Sequence, residues 1–403
     1  MKIAIIGGGA AGFFAAIMAA ASPGVQVVIL ERGKSVLQKV RVSGGGRCNV
    51  THACFEAREL IRHYPRGSRE LLGPFLRFGP QDTVDWFAHR GVRLKTEADG
   101  RMFPVTDDSQ TIVSCLWEAA KNAGVQVRTG VRVEKLEPHN GAWLVQLAGK
   151  ETLPADRVLV ASGSNPAVWE MLAGLGLQIV APVPSLFTFN IKDSRLQELA
   201  GISVPSATLA IPGSKLTSQG PLLITHWGLS GPVVLRLSAW GAHELHRHNY
   251  HFPLTVSWLG EKTTGEVLAE LQDLKLEHAR KQIGTYAQFD LPLRLWSRLL
   301  AAAGISDGLR WADAGKKQLQ KLATELTAGQ FSVHGKSTFK EEFVTAGGVA
   351  LQELNFKTFE SKRFPGLFFA GEVLDIDAIT GGFNFQAAWT GGWIAGSHMA
   401  TPR

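Results

Sequence analysis

Residues 7–12 read "GGGAAG", which sets Gly7, Gly9 and Gly12 in a G-x-G-x-x-G spacing. An apolar run, "KIAII" at 2–6, precedes them. A small-residue stretch of helical character, "FFAAIMAAA" at 13–21, follows, and a second apolar run at 25–31 ends on Glu31. Each residue type has a chemical reason to be there. The first glycine permits a tight turn, the second lets backbone approach a pyrophosphate, and the third lets a helix pack closely. The helix start offers free N–H groups to phosphate. Glu31 can accept hydrogen bonds from both hydroxyls of a ribose and disfavours a 2′-phosphate, so the dinucleotide is FAD or NAD. Ala11, within the glycine turn, and Arg32, beside Glu31, complete this set.

A second stretch, "RVSGGGRCNV" at 41–50, holds three consecutive glycines, Gly44 to Gly46, between Ser43 and Arg47, Cys48 and Asn49. Such a run is costly in backbone entropy. It is either a linker or backbone laid against something bulky. Cys48 is a candidate redox thiol, with Arg41 or Arg47 to stabilise a thiolate. The plainer alternative is a buried packing residue. A third stretch, "GLFFAGEVLDIDAITGGFNFQ", runs from a strand into Gly371 and Glu372 and opens a helix near Gly382.

The elements that must position these residues begin with a βαβ unit over 2–31. Residues 55–90 read as helices and loops, and "GVRLKTEADGRMFP" as a hairpin turning at Asp99-Gly100. A helix is expected over 109–124, then further strands, the last of them in "ADRVLVASGS" at 155–164, which ends in a small-residue turn. From about 185 the runs are short, strand-like and broken by Gly and Pro, including "GPLLITHWGLSGPVVLRLSAW". Helical spacing takes over at 261–327, in "EVLAELQDL", "HARKQIGTYA", "RLWSRLLAAAG" and "KKQLQKLATEL". The simplest arrangement is an α/β domain, 1–185 and 336–403, split by an insertion at 186–335 that is β-rich at 186–260 and helical at 261–327.

The 403 residues are 45% hydrophobic and 19% charged, enough for large cores. Three cysteines without a CxxC pair argue against a disulfide framework and for a reducing, cytoplasmic setting. No zinc-site spacing occurs, so no metal is expected. The opening apolar run could pass for a signal peptide, but the patterned glycines and Glu31 favour a folded strand–turn–helix. No other run is long enough to span a bilayer. The formal net charge is +7. Residues 31–70 carry nine Lys/Arg against four Glu, so much of the excess flanks the glycine loop, as a field for a polyanion or a solvated basic surface. Residues 261–327 carry ten basic and nine acidic side chains, too balanced for a nucleic-acid reader.

The closing segment is similar to FAD enzymes of the glutathione-reductase-like superfamily. With "SGGGRCNVT", "DGRMFP", "THWGLSGP", "VTAGGV" and "TFESK" in the same order, the whole chain resembles the YhiN/BaiN-like flavoproteins, often described as NAD(P)/FAD-dependent oxidoreductases or the aminoacetone-oxidase-like FAD family. The resemblance implies a Rossmann-like FAD domain interrupted by a β-barrel-like and helical insertion. It implies that hydride passes between flavin N5 and a small organic substrate beneath the insertion. Ser43 to Asn49 would lie along the pyrophosphate and flavin. Val133 would meet adenine through its backbone, and Ala161 and Gly163 would turn beside the cofactor. Glu372, after Gly371, would bind the ribityl chain, and Gly382, Phe383 and Asn384 would offer backbone N–H groups to flavin N1 and O2. Ala378 stands where the family usually has Gly. Only one nucleotide fingerprint is present, so NAD(P)H, if it is the reductant, binds transiently elsewhere. His226 in "THWGLSGP" is a candidate proton donor, or a structural histidine. Arg101 either holds an anionic substrate or forms a structural ion pair. Trp389 and Trp393 read as core. A flavin-dependent RNA-modifying or nucleic-acid-binding protein is the alternative function.

Overall fold

Five parallel strands form the frame of the first unit: β1 (Lys2–Ile6), β2 (Gln26–Glu31), β3 (Gln126–Thr129), β4 (Arg157–Val160) and β5 (Leu367–Phe369). Their order is β5-β4-β1-β2-β3, with two short antiparallel strands beyond β5. β1 is central and covered on both faces, so Ile3, Ala4, Ile5 and Ile6 are all buried. This computed structural model describes residues 1–337 and 344–401. The chain divides into Met1–Val183 with Val344–Arg403, and Pro184–Phe343.

Two helices fix the geometry of the first unit. α1 (Ala10–Ala20) links β1 to β2, and α2 (Phe383–Met399) follows β5. Glycines let them touch. A Cβ on Gly392 would lie 2.7 Å from the carbonyl oxygen of Ala11, and one on Gly396 2.4 Å from that of Ala15. The matching four-residue steps mean that the helices run parallel. In that register the start of α2 projects about 12 Å beyond the start of α1, at about 1.5 Å per residue.

The second unit holds a seven-stranded antiparallel sheet. Its order is Gly329–His334, His251–Ser257, Ser203–Ala210, Thr217–Thr225, Gly228–Ser230, Thr188–Asn190, Lys336–Ser337. The two edge strands are consecutive in sequence, joined by Gly335 alone. A flat sheet of this width would separate its edges by about 29 Å, and one residue advances the chain by less than about 4 Å. The sheet therefore rolls until its edges meet, which gives the barrel-like form. Helices Thr264–Glu277, Leu293–Ala302 and Lys316–Ala328 share one core with it, through Val267, Leu271, Trp296, Leu299 and Leu322. Thr263 and Glu266 cap the first of these reciprocally.

Two local expectations are corrected. "GPVVLRLSAW" is not a strand but a helix, Pro232–Trp240: Gly231 turns the chain at φ +97° and Pro232 occupies the first helical position, where its missing N–H costs nothing. "HARKQIGTYA" is not a helix. Ile283 N–H donates to Leu309 O at 2.8 Å and Gln282 bridges Arg310, while Gly284 sits where a Cβ would strike Asp307 at 2.6 Å. Pairing with a neighbouring loop overrides the helical spacing.

Candidate cofactor site

The glycine loop has the geometry its spacing asks for. Gly7 adopts φ +111°, and a Cβ there would lie 2.4 Å from Ala161 O. A Cβ on Gly12 would lie 2.0 Å from Gly7 O. Both are closed by the protein itself. Gly9 differs: it caps α1, and nothing lies within 4 Å of its missing Cβ. No side chain caps α1 and no acidic residue sits in its first turn, so its free N–H groups are left for an anion. Glu31 accepts from Gly8 N–H at 2.8 Å and from Gly33 N–H at 2.6 Å, one on each carboxylate oxygen. Each oxygen retains a lone pair for a ribose hydroxyl. Arg32 beside it is exposed. Val131 N–H donates to Glu31 O at 2.9 Å, which brings Val133, at the start of strand Val133–His139, near the same end of β2.

The helix assigned to Gln38–Gly46 loses helical backbone from Ser43 (ψ 151°) onward. Gly44, Gly45 and Gly46 then take φ of 58°, 68° and 84°. A Cβ on Gly44 would meet Phe103 at 2.9 Å, so this glycine answers to the protein's own packing. Gly45 and Gly46 have nothing within 4 Å and are exposed. They offer a strip of bare backbone.

Cys48 is wholly buried, at φ +61°. Burial pushes its thiol up to about 12, against a smaller lowering effect of its hydrogen bond with Ser43. It is not poised as a thiolate. Arg47 gives it no charge: its guanidinium pairs with Glu97 at 2.6 Å and Asp107 at 3.5 Å and lies 4.0 Å over the Phe103 ring. Arg41 bonds Gln110 at 2.7 Å. Arg101 is held by Asp99 at 2.6 Å and Glu97 at 3.2 Å.

The carboxyl-terminal segment enters from the other side. Gly371 passes the first turn of α1, where a Cβ would sit 3.1 Å from that of Ala11. Glu372 Oε2 lies 3.7 Å from the Cβ position of Gly163. Gly382 caps α2 at φ +90°, again with no side-chain cap and no acidic residue in the first turn. Asn49 ties this start down, accepting from Gly382 N–H at 2.9 Å and donating to Thr51 O at 3.0 Å. The Phe383 ring is buried and stacks on His63 (4.2 Å) and His52 (4.6 Å), while Tyr64 Oη donates to Phe383 O at 2.6 Å. Asn384 accepts from Ala378 N–H at 3.0 Å and donates to Ala378 O at 3.1 Å, closing the loop around a residue that is buried as alanine. Trp389 is buried and bonds Val50 O at 2.9 Å, and Trp393 stacks on Phe78.

The structure thus gathers Gly7, Gly9, Ala11, Gly12, Glu31, Gly163, Gly371 and Glu372 around the start of α1, and Asn49, Gly382, Phe383 and Asn384 around the start of α2. His226 is outside this set, exposed at the two-residue tip of the hairpin between Thr217–Thr225 and Gly228–Ser230. Sequence reasoning missed Lys39, which pairs with Glu372, and Tyr64, His52, His63 and Gln386, which hold α2. Gln386 Oε1 accepts from Thr51 at 2.6 Å and Thr83 at 3.0 Å, all three buried.

The family model of the HI0933-like protein Rossmann domain matches residues 1–398. The chain belongs to that family. Two relatives align with nearly all of this HI0933-like protein. It is 29% identical to a 3-dehydro-bile acid delta(4,6)-reductase of Clostridium scindens, covering 99% of each chain. It is also 29% identical to a ribosomal RNA dihydrouridine synthase of Escherichia coli, covering 98% of this chain and 97% of that one. In fold it resembles a 3-ketosteroid-delta4-(5alpha)-dehydrogenase from Rhodococcus jostii, with a TM-score of 0.52 at 16% identity over 100% of this chain and 97% of the other. The HI0933-like chain is a flavoprotein of oxidoreductase type with a Rossmann-like nucleotide-binding domain. Among the described residues no helix is long and apolar enough to cross a membrane.

Proposed function

We infer that the flavin is FAD and that the protein exchanges hydride with a carbon–carbon bond next to a carbonyl. The observation that carries the FAD reading is the pair of uncapped helix starts offset by about 12 Å along parallel helices. One suits a pyrophosphate, the other the pyrimidine edge of an isoalloxazine, and Glu31 marks the adenosine end. FAD, when bound, supplies two-electron hydride chemistry at N5. The chain's own residues bind and orient. Gly9 and Ala11 would hold phosphate through α1, with the Gly45–Gly46 backbone alongside. The start of α2, braced by Asn49 and Asn384, would face N1 and O2 and favour negative charge there.

The names of the two relatives described above support the bond class. A delta(4,6)-reductase of a 3-dehydro-bile acid and a dihydrouridine synthase both reduce a C=C conjugated with a carbonyl. The first favours a small organic substrate, which we adopt. The second supports an alternative in which the conjugated bond belongs to a uracil within RNA. NADH or NADPH is the proposed reductant, and His226 the proposed proton donor.

The test is anaerobic. FAD-loaded protein is mixed with NADH or NADPH, and the bleached flavin is then offered a 3-keto-4-ene steroid or unmodified ribosomal RNA. Bleaching followed by reoxidation with the steroid supports the small-substrate reading. Reoxidation by RNA alone, with dihydrouridine formed, selects the alternative. Purified protein that takes up no FAD refutes both.

A further inference from the structure

The helix that carries Lys39 starts in a constrained way. Leu37 is left-handed (φ 57°) although it has a side chain, and it is buried. Its N–H donates to Gly8 O at 2.8 Å, which ties the helix start to the glycine loop. Two residues on, Lys39 Nζ pairs with Glu372. Glu372 in turn follows Gly371, whose missing Cβ lies 3.1 Å from that of Ala11 in the first turn of α1. The ammonium, the carboxylate and the uncapped helix start therefore meet at one place. The lysine side chain is 58% exposed and that of Glu372 17%.

We propose that Lys39 is a cofactor-binding cation, held by Glu372 at the edge of the phosphate site and shared with the pyrophosphate when FAD binds. This rests on the FAD reading above. A half-exposed ion pair contributes little to stability, so folding alone gives no reason for the contact. Binding does. A carboxylate that accepts ribityl hydroxyls beside a doubly charged pyrophosphate is repelled by it unless a cation stands between them. Lys39 is placed to do this. Arg32 and Lys34 sit on the loop that precedes Leu37, whereas Lys39 alone of the three makes the Glu372 contact.

The experiment measures FAD affinity by flavin fluorescence quenching for wild type, Lys39→Met, Lys39→Arg, Glu372→Gln and the Lys39→Met/Glu372→Gln pair, over a salt series. Thermal melts without FAD check folding. A charge-assisted contact predicts that Lys39→Met weakens FAD about 10- to 100-fold with an unchanged cofactor-free melt, and that Lys39→Arg recovers most of the loss. Salt should weaken wild-type binding more than that of Lys39→Met, because the screened attraction is gone. Loss of the lysine should also cost less in the Glu372→Gln background, where there is no carboxylate to neutralise. Lys39→Met that binds FAD within twofold of wild type, with the same salt dependence, overturns the proposal and leaves an incidental surface pair. Wild type that binds no FAD at any salt overturns the underlying reading instead.

Discussion

Gly45→Val separates backbone strain from ligand exclusion. Gly45 has φ +68° with open space around its missing Cβ. A side chain there clashes with no protein atom but forces a left-handed L-residue, at about 1–2 kcal/mol. Gly24 is a matched control. It has φ +75°, it too has nothing within 4 Å, and it lies in the turn between α1 and β2, at the amino end of the strands. Both valine variants should lose about 2–4 °C of melting temperature per kcal/mol in a unit of this size. Their cofactor affinities should part. If bare backbone at Gly45 lies against FAD, the added isopropyl group imposes an overpacking cost of about 1–3 kcal/mol, which is about 5- to 150-fold in Kd. The assay is a fluorescence titration of deflavinated protein, with a melt on each variant. Equal FAD affinity in Gly45→Val and Gly24→Val would show that the glycine strip does not touch the cofactor.

Three other outcomes follow from contacts already described. The Cys48 thiol rises from 9.0 to about 12 on burial, so folding favours its protonated form. Its stabilising effect is whole below pH 9 and is lost as pH climbs from 9 towards 12, because the unfolded chain releases the proton first. Denaturant melts at pH 8 and pH 10.5 should show a smaller alkaline loss for Cys48→Ala than for wild type, and turnover should show no thiolate limb near neutrality. Asp377 is fully buried and forms a two-point ion pair with Arg66. Asp377→Ala should cost about 3–5 kcal/mol by urea unfolding, and a cost below 1 would show that Arg66 finds water. Gly396→Val puts carbon within 2.4 Å of Ala15 O. It should separate α1 from α2 and abolish FAD binding although every fingerprint residue is intact, as read by an absent yellow chromophore in soluble protein.

The glycine fingerprint was legible because all its parts lie within thirty residues and each glycine answers to a local rule. Glu31 was legible for the same reason. The α2 start could be located from "GGFNFQ", but not what holds it. Tyr64, Asn49 and Thr51 reach it from segments more than 300 residues away in sequence. Lys39 and Glu372 are 333 residues apart, and no spacing rule joins them. Cys48 shows a different limit. Its neighbours Arg41 and Arg47 left an activated thiolate open beside the buried packing residue, and direction decides between them: the thiol is buried in the core and Arg47 points to Glu97. Helix Pro232–Trp240 was misread because its valines and leucines suit a buried strand as well as a helix. Gly231-Pro232 was the signal that could have decided it.

The parallel seating of α1 on α2 has a consequence for how the protein is made. α1 leaves the ribosome long before the helix whose glycines receive it. At about 5–20 residues per second, the small-residue face of α1 waits roughly 20–70 s for its partner. Until then no amount of FAD can bridge the two helix starts. Cofactor capture is therefore a readout of α2 having been made, and nascent chains stalled anywhere before it should remain colourless and depend on holding chaperones, however perfect their glycine loop.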